Sequence, residues 1–243
     1  MKKIVILFVL ITNISFADTI FGVYTGVQTW LHDNSGDFSL DNQFYDAREN
    51  IDQNSKNNLS FYVAVEHALP FIPNIKLRQN NLEINRFFQV ADACPAVIPS
   101  SCLPATSIDL SHLDATLYYE ILDNWLNLDL GLSLIYFNGT IDFGSGTEDQ
   151  FSNIDYDKVV PALYGKAMFE LPVTDLSASI TANVGTFSSN TIVDFEMAAQ
   201  YKIGLGFNIE AGYRQQTIDF EDIAGSQTDS QSKGIFAALN FHF

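Results

Sequence analysis

Between Trp125 and Phe137 the chain reads WLNLDLGLSLIYF. Leu126, Leu128, Leu130, Leu132, Leu134 and Tyr136 form one set at a spacing of two, and Asn127, Asp129, Gly131 and Ser133 form the other. A helix would spread both sets round its axis, so this stretch is a β-strand with two unlike faces. A second stretch, Leu176 to Phe187, repeats the pattern. Leu176, Ala178, Ile180, Ala182 and Val184 alternate there with Ser177, Ser179, Thr181, Asn183 and Gly185.

Outward from these two, less regular alternation occupies 20–31, 58–69, 108–121, 156–170, 191–202 and 205–220. Segment 74–88 is the weakest, because Gln79-Asn80-Asn81 interrupts both faces, and a bulge is expected there. With a last segment at 234–243 the count is ten strands, eight or twelve being the alternatives. Their connections are short at 70–73, 122–124, 171–174 and 203–204, and long and polar at 32–56, 89–106, 138–155 and 221–233; 188–190 is the exception. Short turns at one end and long loops at the other are the asymmetry of an outer-membrane barrel. The expected fold is all-β, a transmembrane up-and-down antiparallel β-barrel with both termini at the short-turn end.

Composition narrows the compartment. Only 17% of the 243 residues are charged, against about 25% in ordinary soluble domains. With 29 Asp and Glu against 12 Lys and Arg the net charge is -17, which argues against nucleic acid as a partner. The 20 Phe, 10 Tyr and 2 Trp exclude disorder. The basic start Met1-Lys2-Lys3, the apolar run Ile4 to Ile11 and the small residues Ser15 and Ala17 predict a signal peptide over 1–17, leaving a barrel domain over 18–243. No run of 18 apolar residues follows, so entry into a membrane requires a closed barrel.

Alternation alone does not say which face is wet, since a soluble barrel puts its apolar residues inside. Mixed charges on the polar face, including Glu66, Lys166, Glu210 and Arg214, can pair across a small lumen and favour the membrane. So does an aromatic girdle near strand ends, read from Trp30, Tyr136, Phe137, Tyr156, Tyr201 and Phe207. On this reading the apolar content is largely an outward band rather than a core, and Leu126 to Leu134 and Leu176 to Val184 face lipid. An interior of ten strands lined by residues such as Tyr24, Gln28, Tyr62 and Tyr118 is expected to be plugged or nearly so.

The chain ends on Phe243, and steps of two back from it meet Phe241, Leu239, Ala237 and Ile235. This resembles the C-terminal signature of bacterial outer-membrane barrels, which the barrel-assembly machinery reads. Longer stretches resemble the OMP-with-GlyGly family of Gram-negative outer-membrane barrels: DTIFGVYTGVQTW at Asp18–Trp30, Ser35-Gly36-Asp37, FYVAVEHALPFIPNIKL at Phe61–Leu77, and AGYRQ at Ala211–Gln215. The chain lacks the Gly-Gly pair of that family's label. The resemblance implies an exported barrel of the cell outer membrane, in contact with its lipid and lipopolysaccharide. It implies no activity and no site residues.

Three candidate sites remain. Cys94 and Cys102 flank Pro95–Pro99 and are expected to form a disulfide, worth roughly 2–3 kcal/mol for so short a ring. Acidic residues gather in the long loops, at Asp33, Asp37, Asp41, Asp46, Glu49 and Asp52, at Glu148, Asp149, Asp155 and Asp157, and at Glu221, Asp222 and Asp229. Divalent cations could bridge them to lipopolysaccharide, although a solvated acidic surface is the preferred reading. His112 and Asp114 share a face and form the one candidate for general-base catalysis. No nucleophile elbow accompanies them and no cofactor is expected. The expected role is structural or surface interaction through long acidic extracellular loops. A narrow pore for small solutes is the alternative, and a barrel hydrolase a distant third.

Overall fold

A computed structural model describes residues 21–40, 43–46, 58–69, 71–87, 104–123, 125–145, 151–223 and 226–243. The signal segment 1–17, Cys94 and Cys102, and Asp41, Glu49, Asp52, Glu148 and Asp149 lie outside them.

Thirteen strand segments form one antiparallel sheet. They are β1 (Phe21–Leu40), β2 (Gln43–Asp46), β3 (Asn58–His67), β4 (Asn74–Asn80), β5 (Glu83–Phe87), β6 (Pro104–Asp109), β7 (His112–Leu122), β8 (Leu126–Ser145), β9 (Phe151–Glu170), β10 (Leu176–Phe187), β11 (Asn190–Gly204), β12 (Phe207–Ile223) and β13 (Ser226–His242). β4 and β5 form one line, and β6 and β7 another. Their shared ladder runs without a register shift from Asn74↔Tyr118 through Asn80↔His112 to Glu83↔Asp109 and Phe87↔Ala105. The bulge expected near Gln79–Asn81 is therefore absent. The strands are interrupted at 81–82 and 110–111, where Leu110 N still donates to Leu82 O at 2.7 Å in the same register. β2 folds back on the far end of β1. The ring is thus ten strands, β1-β3-β4-β7-β8-β9-β10-β11-β12-β13, and β13 pairs with β1 to close it.

Turn chemistry follows the expected asymmetry. The chain reverses at 68–73, 123–125, 171–175 and 205–206 on the end that holds Phe21 and Phe243. The two-residue hairpin at Ser188-Ser189, on the opposite end, has φ of 48° and 63°, the doubly positive pair that matches strand twist. Gly206, at φ 81°, takes the corresponding place beside Leu205.

Side-chain direction identifies the solvent. Leu130, Leu132 and Leu134 are exposed on β8 while Asp129 and Ser133 are buried in the lumen. Leu176, Ile180 and Val184 are exposed on β10, and Ser177 and Asn183 are buried. Apolar residues outside and polar residues inside make this a transmembrane barrel of the outer-membrane type. The outward run from Leu126 to Tyr136, at a rise of about 3.3 Å per residue and a tilt near 40°, is roughly 25 Å tall, matching the apolar band of such barrels.

Above Tyr136 the pattern inverts. Outward positions become Asn138, Thr140 and Asp142, and inward positions become Ile135, Phe137 and Ile141, all nearly inaccessible. β9 shows the same change, with Asn153, Asp155 and Asp157 outward and Val160 inward. On β12, Gln215, Thr217 and Asp219 face outward while Ile218 and Phe220 are buried. The barrel therefore projects beyond the membrane as a water-facing cylinder with an apolar filling.

Three expectations are corrected by this inversion. The long loops at 32–56, 138–155 and 221–233 are partly strand, since β1, β8, β9, β12 and β13 all run into them. The aromatic girdle loses Trp30, Phe137 and Tyr156, which are 2%, 0% and 7% exposed. Each shares parity with the polar, lumen-facing set of its strand. Tyr136, Tyr201 and Phe207 do face outward. The apolar content likewise divides between the outer band and an interior cluster that includes Leu82, Ile84, Ile108, Leu110, Ile192 and Phe220.

Arginine at position 132 would face the middle of the band and is expected to lower unfolding free energy by about 2–4 kcal/mol. Asn138→Arg, two steps past the inversion, should change it by less than about 0.5 kcal/mol. Urea titration of the protein refolded into lipid vesicles measures both.

Candidate functional site

The lumen is stacked in three layers. At the short-turn end lies a cavity of about 420 Å³ whose wall includes Tyr24, Tyr62, Glu66, Tyr118, Asp129 and Lys166, reaching the rim at Ala68 and Asp123. A smaller cavity of about 80 Å³ lies against Gln28, Arg78, Glu196, Glu210 and Asn240. Tyr62, Lys76, Lys166 and Met168 border both. Gly26 makes part of this space: a Cβ there would collide with Tyr62 and with the Asn240 amide. The Tyr62 hydroxyl donates to that amide oxygen at 3.2 Å.

The middle layer is an ion network. Arg214, on β12 and 1% exposed, donates from Nε and Nη2 to the two carboxylate oxygens of Asp194 on β11, at 2.9 and 2.7 Å. Its Nε is 3.2 Å from Glu196 Oε1, and Nη2 reaches Asn80 Oδ1 at 3.1 Å. Its guanidinium lies 4.7 Å from the Trp30 ring centroid. Arg78, on β4, donates to the same Glu196 oxygen at 2.6 Å and to Gln28. Asn80 then donates to Asp114 at 3.0 Å. Fork-shaped guanidinium groups that satisfy several acceptors at once suit such a plug. The network joins β1, β4, β7, β11 and β12, so it ties opposite walls of the barrel together.

The outermost layer is apolar. Phe137 and Phe220 meet edge to face with centroids 5.0 Å apart, and His112 packs on Phe137 at 4.7 Å. Each large side chain wholly removed from water here contributes about 1.5–3 kcal/mol. Neither described cavity borders this layer or passes the arginines.

The candidate residues fall at different depths. Glu66 accepts from the Tyr118 hydroxyl at 2.7 Å in the larger cavity, and Lys166 faces Asp129 across the β8–β9 ladder. Glu210 accepts from Asn240 at 2.7 Å beside the smaller one. Arg214 sits in the plug. His112 and Asp114 lie between plug and apolar layer, 2% and 4% exposed, with Nε2 3.8 Å from Oδ1, and border neither cavity. Ile235, Leu239 and Phe243 face outward on or just past β13, and Phe241 packs on Phe207 with centroids 4.7 Å apart. The sequence reading did not single out Lys76, Arg78 or Asp194 as site residues. Their parity on strands β4 and β11 was the available signal.

No family model matches the chain, and no curated protein matches it. Solved structures similar to it include the translocator domain of the autotransporter NalP from Neisseria meningitidis, at 12% identity, covering 93% of this chain and 90% of that one with a TM-score of 0.45. The β domain of the Bordetella autotransporter BrkA is 12% identical over 93% and 99%, with a TM-score of 0.38. Ail, the attachment invasion locus protein of Yersinia pestis, is 11% identical over 92% and 97%, with a TM-score of 0.33. The barrel rests on its own ladder and on its outward apolar band.

On the projecting cylinder, backbone register sets Asp46, Asp37, Asp229 and Asp219 in one row across β2, β1, β13 and β12. Like charges directly opposite destabilise a sheet. Asp219 holds its proton to higher pH than an ordinary aspartate, first through partial loss of hydration and then through Asp229 and Glu221. A carboxyl whose folded pKa is raised binds its proton more tightly folded than unfolded. Its penalty is therefore absent below the ordinary value of 3.8, grows as pH climbs toward the raised value, and is constant above it.

Asp219→Asn should accordingly raise the unfolding midpoint at pH 7, with the gain vanishing as pH falls below that ordinary value; parallel denaturant titrations across pH report it. Replacing Arg214 with Met strands Asp194 beside Glu196 and should cost about 3–5 kcal/mol, measured by urea unfolding in the same vesicles.

Proposed function

We propose that this chain is a closed, non-conducting outer-membrane barrel, whose role is structural or one of surface interaction through the cylinder that projects above the bilayer. The observation that carries this reading is the two-layer obstruction of the lumen, an ion-network plug sealed beneath an apolar layer. The acidic projecting wall and its loops are the surface offered to partners. Lipid and lipopolysaccharide surround the band below. The outward apolar residues ending at Phe243 fit a strand read by the barrel-assembly machinery, and the quoted sequence stretches support membership of the OMP-with-GlyGly family.

One observation favours the narrow-pore alternative: the polar cavity already occupies the lumen from the short-turn rim to the arginines. Conduction would require the whole plug to move. The hydrolase reading finds less support, because His112 and Asp114 are enclosed by packed side chains and border neither cavity.

Purified protein reconstituted in planar bilayers is expected to give no stable unitary current. A reproducible single-channel conductance that changes in Glu66→Ala or Arg214→Ala would replace the closed reading with the pore.

A further inference from the structure

The lumen charges are not arranged symmetrically along the barrel axis. Arg78 and Arg214 are engaged by Glu196, Asp194 and amide oxygens. Lys76 and Lys166, just below them, form no ion pair among the described residues. The Lys76 ammonium instead lies between two tyrosine rings, 5.1 Å from the centroid of Tyr62 and 5.6 Å from that of Tyr164. An ammonium drawn back from bulk water with no carboxylate in contact gains from an anion that reaches it. Both lysines border both cavities, so an anion entering the larger one meets them at its floor.

Toward the rim the sign reverses. Glu66, Glu120 and Asp123 line the same cavity nearer the short turns, and Asp129 lies across the ladder from Lys166. A molecule of uniform negative charge is repelled at the rim, and one of uniform positive charge at the floor. A dipolar molecule, ammonium outward and carboxylate inward, is attracted at both ends. The ladder sets its length. Lys76 pairs with Thr116, and Glu120 lies four residues farther along β7, about 13 Å at strand rise. The contacts at the two ends take up part of this, which leaves a ligand charge separation on the order of 10 Å. The space of about 420 Å³ lies within the range of small-molecule sites.

We propose that the short-turn vestibule binds a small zwitterion whose ammonium seats among Glu120, Asp123 and Glu66 and whose carboxylate seats on Lys76 and Lys166. The tyrosine wall of Tyr24, Tyr62, Tyr118 and Tyr164 then flanks the spacer. Chemically, the occupant is a short peptide with free ends or a long ω-amino acid. The site needs only the vestibule, so it stands whether or not the barrel conducts.

Isothermal titration of the refolded full chain, in uncharged maltoside micelles at low salt and pH 7, tests this with triglycine. Saturable binding is expected, weakened about tenfold or more, one charged contact's worth, when the probe is N-acetylated or C-amidated. Lys76→Met with Lys166→Met should abolish triglycine binding while the unboiled gel shift of the closed barrel persists. Glu120→Gln with Asp123→Asn provides a rim variant that decides the matter if the lysine pair fails to fold. Equal binding of 8-aminooctanoate supports charge spacing as the feature read, and binding of triglycine alone supports the peptide. Failure of both probes to bind, blocked probes binding as tightly as free ones, or unchanged affinity in folded variants would overturn the proposal.

Discussion

In hydrocarbon no water is available to a backbone amide, so an open sheet edge there is untenable. The ladder between the first and last ring strands, from Tyr24↔His242 to Leu40↔Ser226, removes the edges. Val23 N donates to Phe243 O at 3.1 Å, and Phe243 N to Val23 O at 3.0 Å, which carries the closure past the strand end. Closure forces one side of every strand outward and the other inward. The inward side chains of ten strands then share a space that they must either fill or leave wet.

How they fill it depends on height. Opposite the lipid the interior holds charges and hydroxyls, because the outward positions have taken the apolar residues. Above the lipid the outer wall meets water and the interior becomes a conventional apolar core. Arg214 lies at the changeover, with Gln216, Ile218 and Phe220 following inward along the same strand. Its burial is tolerable because Asp194 and Glu196 meet it in the geometry of a guanidinium fork. A plug of this kind stiffens the barrel across its diameter and leaves the vestibule blind at the arginines.

Strand parity was legible in sequence wherever one face was apolar. It assigned Leu126–Leu134 and Leu176–Val184 to the outer wall, and the closed ten-strand ring agrees with the number of alternating segments. The extensions of β1, β8, β9, β12 and β13 were not legible, for a physical reason. Ser226 to Lys233 contains no apolar residue, so nothing in it alternates, and its strand form comes from pairing with β1 and β12 on both sides. Trp30, Phe137 and Tyr156 were misplaced because an aromatic near a strand end suits either an interfacial girdle or a core. Only parity, taken together with the height of the inversion, separates the two. Within the lumen the individual charges could be read from sequence, but their depth and partners depend on the stagger between strands.

On β8 a single continuous strand changes solvent at Tyr136. Nitroxide labels placed one at a time at the even positions of β8 from Leu130 to Asp142, in vesicles, report it through collisions with lipid-soluble oxygen and water-soluble nickel chelate. Oxygen should dominate from Leu130 to Tyr136 and nickel from Asn138 to Asp142. Oxygen dominance continuing to Asp142, or nickel dominance along the whole strand, would contradict the account.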